Sequence, residues 1–161
     1  MINFTVITKQ SFSGFLSKLK ISKNILCIVI LFSLFSCSKN SESYIQHLEG
    51  YWEIVEVTFP DGNKKEYKFN ETIDYISLND SLEGYRKKLK PGFNDTYFTS
   101  DDAESLEVKI ENGSLNIYYS TAYANWRETV LEATPNNLRV INKDNIVYLY
   151  KRYTSIKLDI E

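Results

Sequence analysis

Residues 47–155 predict an all-β domain, closed as a barrel or stacked as a sandwich. Three observations carry that expectation. All twelve tyrosines lie beyond residue 43, while Ala and Met are scarce there, a composition that suits pleated strands better than helices. Apolar and polar residues alternate in short runs, the period of a half-buried strand. Turn-forming clusters separate these runs: PDGN at 60–63, ND at 79–80, KPG at 90–92, SDD at 100–102, NG at 112–113, TPNN at 134–137 and NKDN at 142–145. Such spacing belongs to sandwiches and barrels. Eight to ten strands are expected, with no helix and no internal repeat.

The N-terminal region stands apart. Residues 1–36 carry Lys9, Lys18, Lys20 and Lys23, no acid, and the eleven-residue apolar run Ile25–Phe35. A bilayer-spanning helix needs about 20 apolar residues, so the run fits the core of a secretory signal. Without this leader, residues 37–161 hold fifteen Lys and Arg against all 21 Asp and Glu, a net charge of −6. An acidic domain argues against nucleic acid as a partner. Cys27 lies in the leader and Cys37 at its end. The domain itself therefore has no disulfide, thiol nucleophile or thiolate metal site. Residues 37–46 read as a polar, flexible tether, 47–155 as the domain and 156–161 as a tail.

Within the domain, GYWEIVEVTF from Gly50 is the first long strand, closed by the turn at 60–63. KEYKFN, ETIDYISLN, EGYRKKLK and TYFT follow as strands. In SLEVKIENGSLNIYYS, Asn112-Gly113 suits a type I′ turn, whose central residues need positive φ. Pairing Glu111 with Ser114 sets Ile110 opposite Leu115, Val108 opposite Ile117 and Leu106 opposite Tyr119, all on one face. RETVLEA comes next. The last hairpin, NLRVINKDNIVYLYKRY, is expected to turn evenly at Lys143-Asp144. That register places Val140 opposite Val147 and Leu138 opposite Leu149, with Tyr148, Tyr150 and Arg152 on the other face beside Ile141.

Catalytic chemistry finds little material. His47, the one histidine, reads as a solvated junction residue. No nucleophile elbow, phosphate-cradling Gly loop or zinc spacing occurs. Two-carboxylate chemistry is possible in principle, yet no pair stands out. Asp101, Asp102 and Glu104 read as a solvated acidic turn. Arg86, Lys87, Lys88 and Lys90 form a basic cluster, with Arg86, Lys88 and Lys90 on one strand face. It reads either as an anion contact or as a lysine-blunted edge strand. Eighteen aromatics lie in residues 37–161. Tyr118, Tyr123, Trp126, Tyr148 and Tyr150 exceed what a core face needs, so they are the expected ligand contacts; Tyr and Trp bring rigid area with a polar tip.

Two resemblances sharpen this reading. Leu34-Phe35-Ser36-Cys37 resembles the lipobox of bacterial lipoproteins. That resemblance implies cleavage before Cys37 and a membrane anchor of diacylglycerol and palmitate-class acyl chains on that residue. Leu48-Glu49-Gly50-Tyr51-Trp52-Glu53-Ile54 resembles the Gly-x-Trp hallmark of the lipocalin superfamily. Glu83–Pro91, Asn94–Tyr97 and Tyr148–Lys151 look like the corresponding stretches of small lipocalin-like envelope lipoproteins. The resemblance covers about 48–153. It implies a small eight-stranded up-and-down antiparallel barrel, with Gly50 and Trp52 at the base and Lys151 or Arg152 covering the indole. The interior of so small a barrel is either open or filled by side chains. The expected function is that of a membrane-anchored envelope lipoprotein binding a small apolar or amphiphilic ligand. The alternative is a non-enzymatic accessory or interaction subunit of an envelope complex, built on a filled barrel. Neither reading calls for a cofactor, a metal or catalytic residues. The expected location is the periplasmic face of the outer membrane of a Gram-negative-type bacterium.

Overall fold

The computed structural model describes residues 41–155. The signal peptide expected over 1–36, the lipobox with Cys37, and the tail 156–161 lie outside the described residues. One short helix, α1 (Glu42–Ile45), precedes ten strands: β1 (Gly50–Thr58), β2 (Lys64–Glu66), β3 (Ile73–Leu78), β4 (Glu83–Pro91), β5 (Tyr97–Thr99), β6 (Glu104–Glu111), β7 (Ser114–Ser120), β8 (Asn125–Ala133), β9 (Asn137–Asn142) and β10 (Val147–Arg152).

Eight of these strands close an antiparallel ring in the order β1-β3-β4-β6-β7-β8-β9-β10, with β10 returning to β1. Strands β2 and β5 lie outside the ring. β2 pairs with the end of β1, and β5 pairs with the end of β4. Each prolongs the wall on one side only, leaving its far edge unpaired. β2 carries Lys64, Lys65 and Glu66, all exposed, and charged side chains discourage pairing with a second chain.

The β6–β7 hairpin has the register read from the sequence, Glu111 opposite Ser114 through to Leu106 opposite Tyr119. Asn112 and Gly113 take φ of 52° and 76°, the type I′ geometry. The last hairpin is shifted by one residue from the expected register. Tyr148 faces Val140 and Tyr150 faces Leu138, while Val147 faces Ile141 and Leu149 faces Arg139. Asn142 is the cause. Its side-chain Oδ1 accepts from the Asp144 and Ile146 amides, and Asn145 adopts φ of 58°. The turn is thus a three-residue loop ending in a left-handed residue, not an even one. A one-residue slip exchanges faces, so Tyr148 and Tyr150 turn toward the interior.

The core cluster gathers Leu48, Trp52, Leu106, Val108, Leu115, Ile117, Tyr119, Leu138, Val140 and Tyr150 with their neighbours. One end of the barrel is capped by residues 41–48, part of which the sequence reading gave to a flexible tether. Ser41 instead is buried and its hydroxyl donates to the Gly113 carbonyl. Tyr44 and Ile45 pack against the core. A second, external apolar cluster forms where Ile73 and Leu89, cross-strand partners that are both buried, face away from the ring interior. Beside it the Tyr97 ring stacks on Tyr51 at 4.8 Å, and Tyr51 in turn meets Tyr75 at 4.8 Å.

Candidate functional site: base, interior, side portal and outer groove

The base is built around Gly50, Trp52 and Arg152. Trp52 is fully buried and its indole N–H donates to the Leu48 carbonyl at 2.8 Å. Arg152 lies across the sheet from it, with its guanidinium carbon 3.7 Å from the ring centroid. The same guanidinium donates to the carbonyls of Glu49, His47 and Pro135. Gly50 has φ of +112°, and a Cβ there would stand 2.4 Å from Arg152 Nη1. The glycine is required twice, by its backbone conformation and by the close approach of the arginine. Lys151 points away and pairs with Glu53 at 3.2 Å. Between the two basic residues, Arg152 is the one over the indole. His47 contributes its backbone carbonyl.

Alternation places Arg86 on the inner face of β4, and the interior holds charge as well as hydrocarbon. Arg86 meets Glu104 at 2.5 Å and Glu128 at 3.6 Å. It also lies over Tyr119, 4.2 Å from the ring centroid, and Tyr119 stacks on Trp126 at 5.1 Å. Asp74, buried, pairs with Lys88. Burial pushes the Glu128 carboxyl above the ordinary range; Arg86 and a hydrogen bond from Tyr119 pull against that rise. Burial likewise drives the Tyr119 and Tyr150 hydroxyls far up. The void among these groups is about 10 Å³, bordered by Trp52, Asp74, Tyr119 and Tyr150. That is the scale of a single water. The ring interior is filled by side chains.

Larger recesses lie elsewhere, among them one of about 680 Å³ beside β2 and the ends of β9 and β10, lined by charged residues such as Glu56, Lys64 and Arg139, and two that bear on ligand binding. A side portal of about 460 Å³ opens between residues 100–104 and the β7–β8 loop, where β5 leaves the wall unpaired. Arg86, Lys88 and Glu104 line its inner part and Tyr123 its rim. Phe98, opposite Lys90 in the β4–β5 pair, is 67% exposed. An outer groove of about 690 Å³ crosses β4, β6, β7 and β8, with Tyr118, Arg127 and Asn125 among its walls and Trp126 at one side.

The five aromatics expected to hold a ligand therefore do not converge. Tyr150 is buried in the core and Tyr148 packs against it. Tyr123 is 97% exposed at the portal. Tyr118 and Trp126 line the outer groove. The basic cluster is corrected as well. Arg86 is interior and Lys88 is paired inward, while β4 has strands on both sides and is no edge. Glu104, read as part of a solvated turn, is the strand partner of Arg86. An alternating Arg-x-Lys-x-Lys run signalled a shared face but not which face the ring would enclose. Glu128 and Asp74, missed from the sequence, carried no signal beyond their place in alternating strands.

Among the described residues, no helix is long and apolar enough to cross a membrane, and no three His, Cys, Asp or Glu side chains converge to hold a metal.

No curated protein matches the chain. Two solved structures are similar. One is a lipocalin-like protein from Bacteroides uniformis, 7% identical, covering 66% of this chain and 99% of that one with a TM-score of 0.43. The other is an uncharacterized protein from Bacteroides eggerthii, 14% identical, covering 65% and 98% with a TM-score of 0.42. The model of the lipocalin-like domain family matches residues 48–140, from the residue that caps Trp52 to the core of β9, and the chain belongs to that family.

Proposed function

We propose that the protein is an envelope lipoprotein that binds a small apolar or amphiphilic molecule at its side portal. In this reading, acylated Cys37 holds it to the periplasmic face of the outer membrane. A lipocalin-like barrel supports a ligand-binding role, but function lies in the site and not in the fold. The observation that carries the reading is the contrast between two volumes: about 460 Å³ at the portal against about 10 Å³ in the ring interior. The portal has a polar inner end at Lys88 and Glu104, with Ala103, Ala122 and the Tyr123 ring toward its rim. That polarity gradient suits an amphiphile.

Native mass spectrometry of residues 39–161, with organic extraction of any added mass, tests it. A co-purifying molecule that is lost in Ala122→Trp, which fills the portal, is the expected result. A bare mass, unchanged when envelope lipids are offered, overturns it. The filled interior favours a second reading, an accessory subunit of an envelope complex. Cross-linking in intact cells to one reproducible protein, with no small molecule bound, would select that reading. The anchor is tested by metabolic labelling with palmitate, which Cys37→Ser should abolish.

A further inference from the structure

The outer groove calls for a ligand of a different kind. On β6, β7 and β8 the buried row holds Leu106 and Tyr119 with Trp126 beside them. The neighbouring rows, Glu107–Tyr118–Arg127 and Ser105–Ser120–Asn125, therefore face outward. Two serines side by side lower the floor between larger residues and produce the groove of about 690 Å³. This lies within the range of about 300–1,000 Å³ typical of small-ligand sites.

Its chemistry is specific. Tyr118 lines the groove as a half-buried ring, held in place by its hydroxyl, which donates to Glu111 at 2.5 Å, and by the Lys109 ammonium 5.4 Å from its centroid. The side chains of Ser105, Ser120 and Asn125 make no hydrogen bond among the described residues. Glu107 is neutralised by Lys109 at 2.8 Å, and Arg127 and Glu83 supply one charge of each sign to the lining. A hydrocarbon ligand would strip water from the serines and the amide without replacing it. A polyanion gains nothing from a wall without net positive charge. A pyranose chain satisfies both constraints, with an apolar C–H face for the ring and hydroxyls for the amide, serine and charged groups.

We propose that this groove binds a short neutral oligosaccharide, independently of the portal. Saturation-transfer NMR on residues 39–161, a unit that closes its own barrel, tests it with maltotetraose, cellotetraose and chitotetraose as probes. Transfer to the ring protons of at least one probe is expected. Tyr118→Ala should weaken that probe about tenfold by removing the stacking face. Ser120→Arg, at an exposed position that leaves the core untouched, should abolish transfer. Ala122→Trp, which fills the portal at an exposed position, should leave it unchanged. Silence from all three probes overturns the proposal. So does transfer that survives Ser120→Arg in protein with an unaltered unfolding midpoint. Transfer lost in Ala122→Trp but retained in Ser120→Arg also overturns it, because that places the sugar in the portal. A failure of ligand binding at the portal leaves this result unaffected.

Discussion

Replacing Arg152 by Met keeps an unbranched stem against Trp52 but deletes the cation and its donors. The loss can be worked from the base geometry. A cation 3.7 Å from the indole centroid is worth about 0.5–2 kcal/mol, depending on desolvation. Three donations to carbonyls follow, from two chain segments far apart in sequence: His47 and Glu49 before β1, and Pro135 in the β8–β9 turn. A charged donor to a buried acceptor contributes about 1.5–3 kcal/mol, but these carbonyls lie where water can replace much of the lost bond. A net loss of about 3 kcal/mol remains. For a domain of this size that is a fall of about 12 °C in the midpoint of thermal unfolding. Urea unfolding of residues 39–161, followed by Trp emission, measures the change directly. Lys151→Met is the internal control. It removes a neighbouring cation that is itself 55% exposed and whose partner, Glu53, keeps a hydrogen bond from Asn70, and should cost less than about 1 kcal/mol. A loss below about 1 kcal/mol in Arg152→Met, or equal losses in the two variants, would show that the base is held by Trp52 packing alone.

Other outcomes follow from the same structure. Gly50→Ala forces a side chain into a left-handed backbone and against Arg152; it should cost at least as much as Arg152→Met, and Arg152→Met should reduce that cost when combined with it, as double-variant unfolding will reveal. Leu115, fully buried, should lose about 3–5 kcal/mol as Leu115→Ala, read by urea unfolding. Glu128 has a raised folded value, so the native state keeps a proton there that the unfolded chain releases. Stability attributable to it therefore falls as pH rises from the ordinary carboxylate range through the raised value. Unfolding of wild type and Glu128→Gln across that window should show wild type losing ground as pH rises, and a gain would contradict the burial argument. Glu111 runs the opposite way. Its carboxyl is held below the ordinary range first by the Tyr118 hydroxyl, and carboxyl-carbon NMR titration of Tyr118→Phe should show it rising toward that range.

Legibility in the sequence followed the strength of local chemistry. The β6–β7 register could be read because Asn112-Gly113 admits one turn and every apolar partner then shares a face. The β9–β10 register could not, because it depends on whether Asn142 turns its side chain back to the Asp144 and Ile146 amides. NKDN permits that capped loop and an even turn alike. Gly50 and Trp52 were legible as a spaced pair, while the choice of Arg152 over Lys151 needed the β1–β10 pairing. The external cluster was hidden for a different reason. Ile73 and Leu89 are buried on the outside of the ring, so alternation alone assigns them to solvent. The flanking tyrosines that meet there, Tyr51 and Tyr97, come from strands distant in sequence.

The filled interior has a physical consequence for where binding can occur. Arg86, Glu104, Glu128 and Asp74 with Lys88 place five ionisable groups on the inward-facing rows of the barrel. A buried ion pair gains little over well-packed hydrocarbon, yet losing one partner costs several kcal/mol. A guest entering the ring would have to separate Arg86 from its carboxylates or Tyr119 from Arg86. The interior therefore resists occupation even where a side-chain movement could open space. The two proposed sites lie instead where the wall is incomplete or its outward rows are small: the gap beside β5, and the serine floor across β6 and β7. Arg86→Met with Glu104→Leu, Glu128→Leu and Tyr119→Phe would replace the charges, and the hydroxyl that bonds to Glu128, by hydrocarbon of similar volume. Such a variant should fold at least as stably as wild type. If hydrophobic probes then enter the ring, the charges are what exclude them; if the ring stays closed, packing volume alone does.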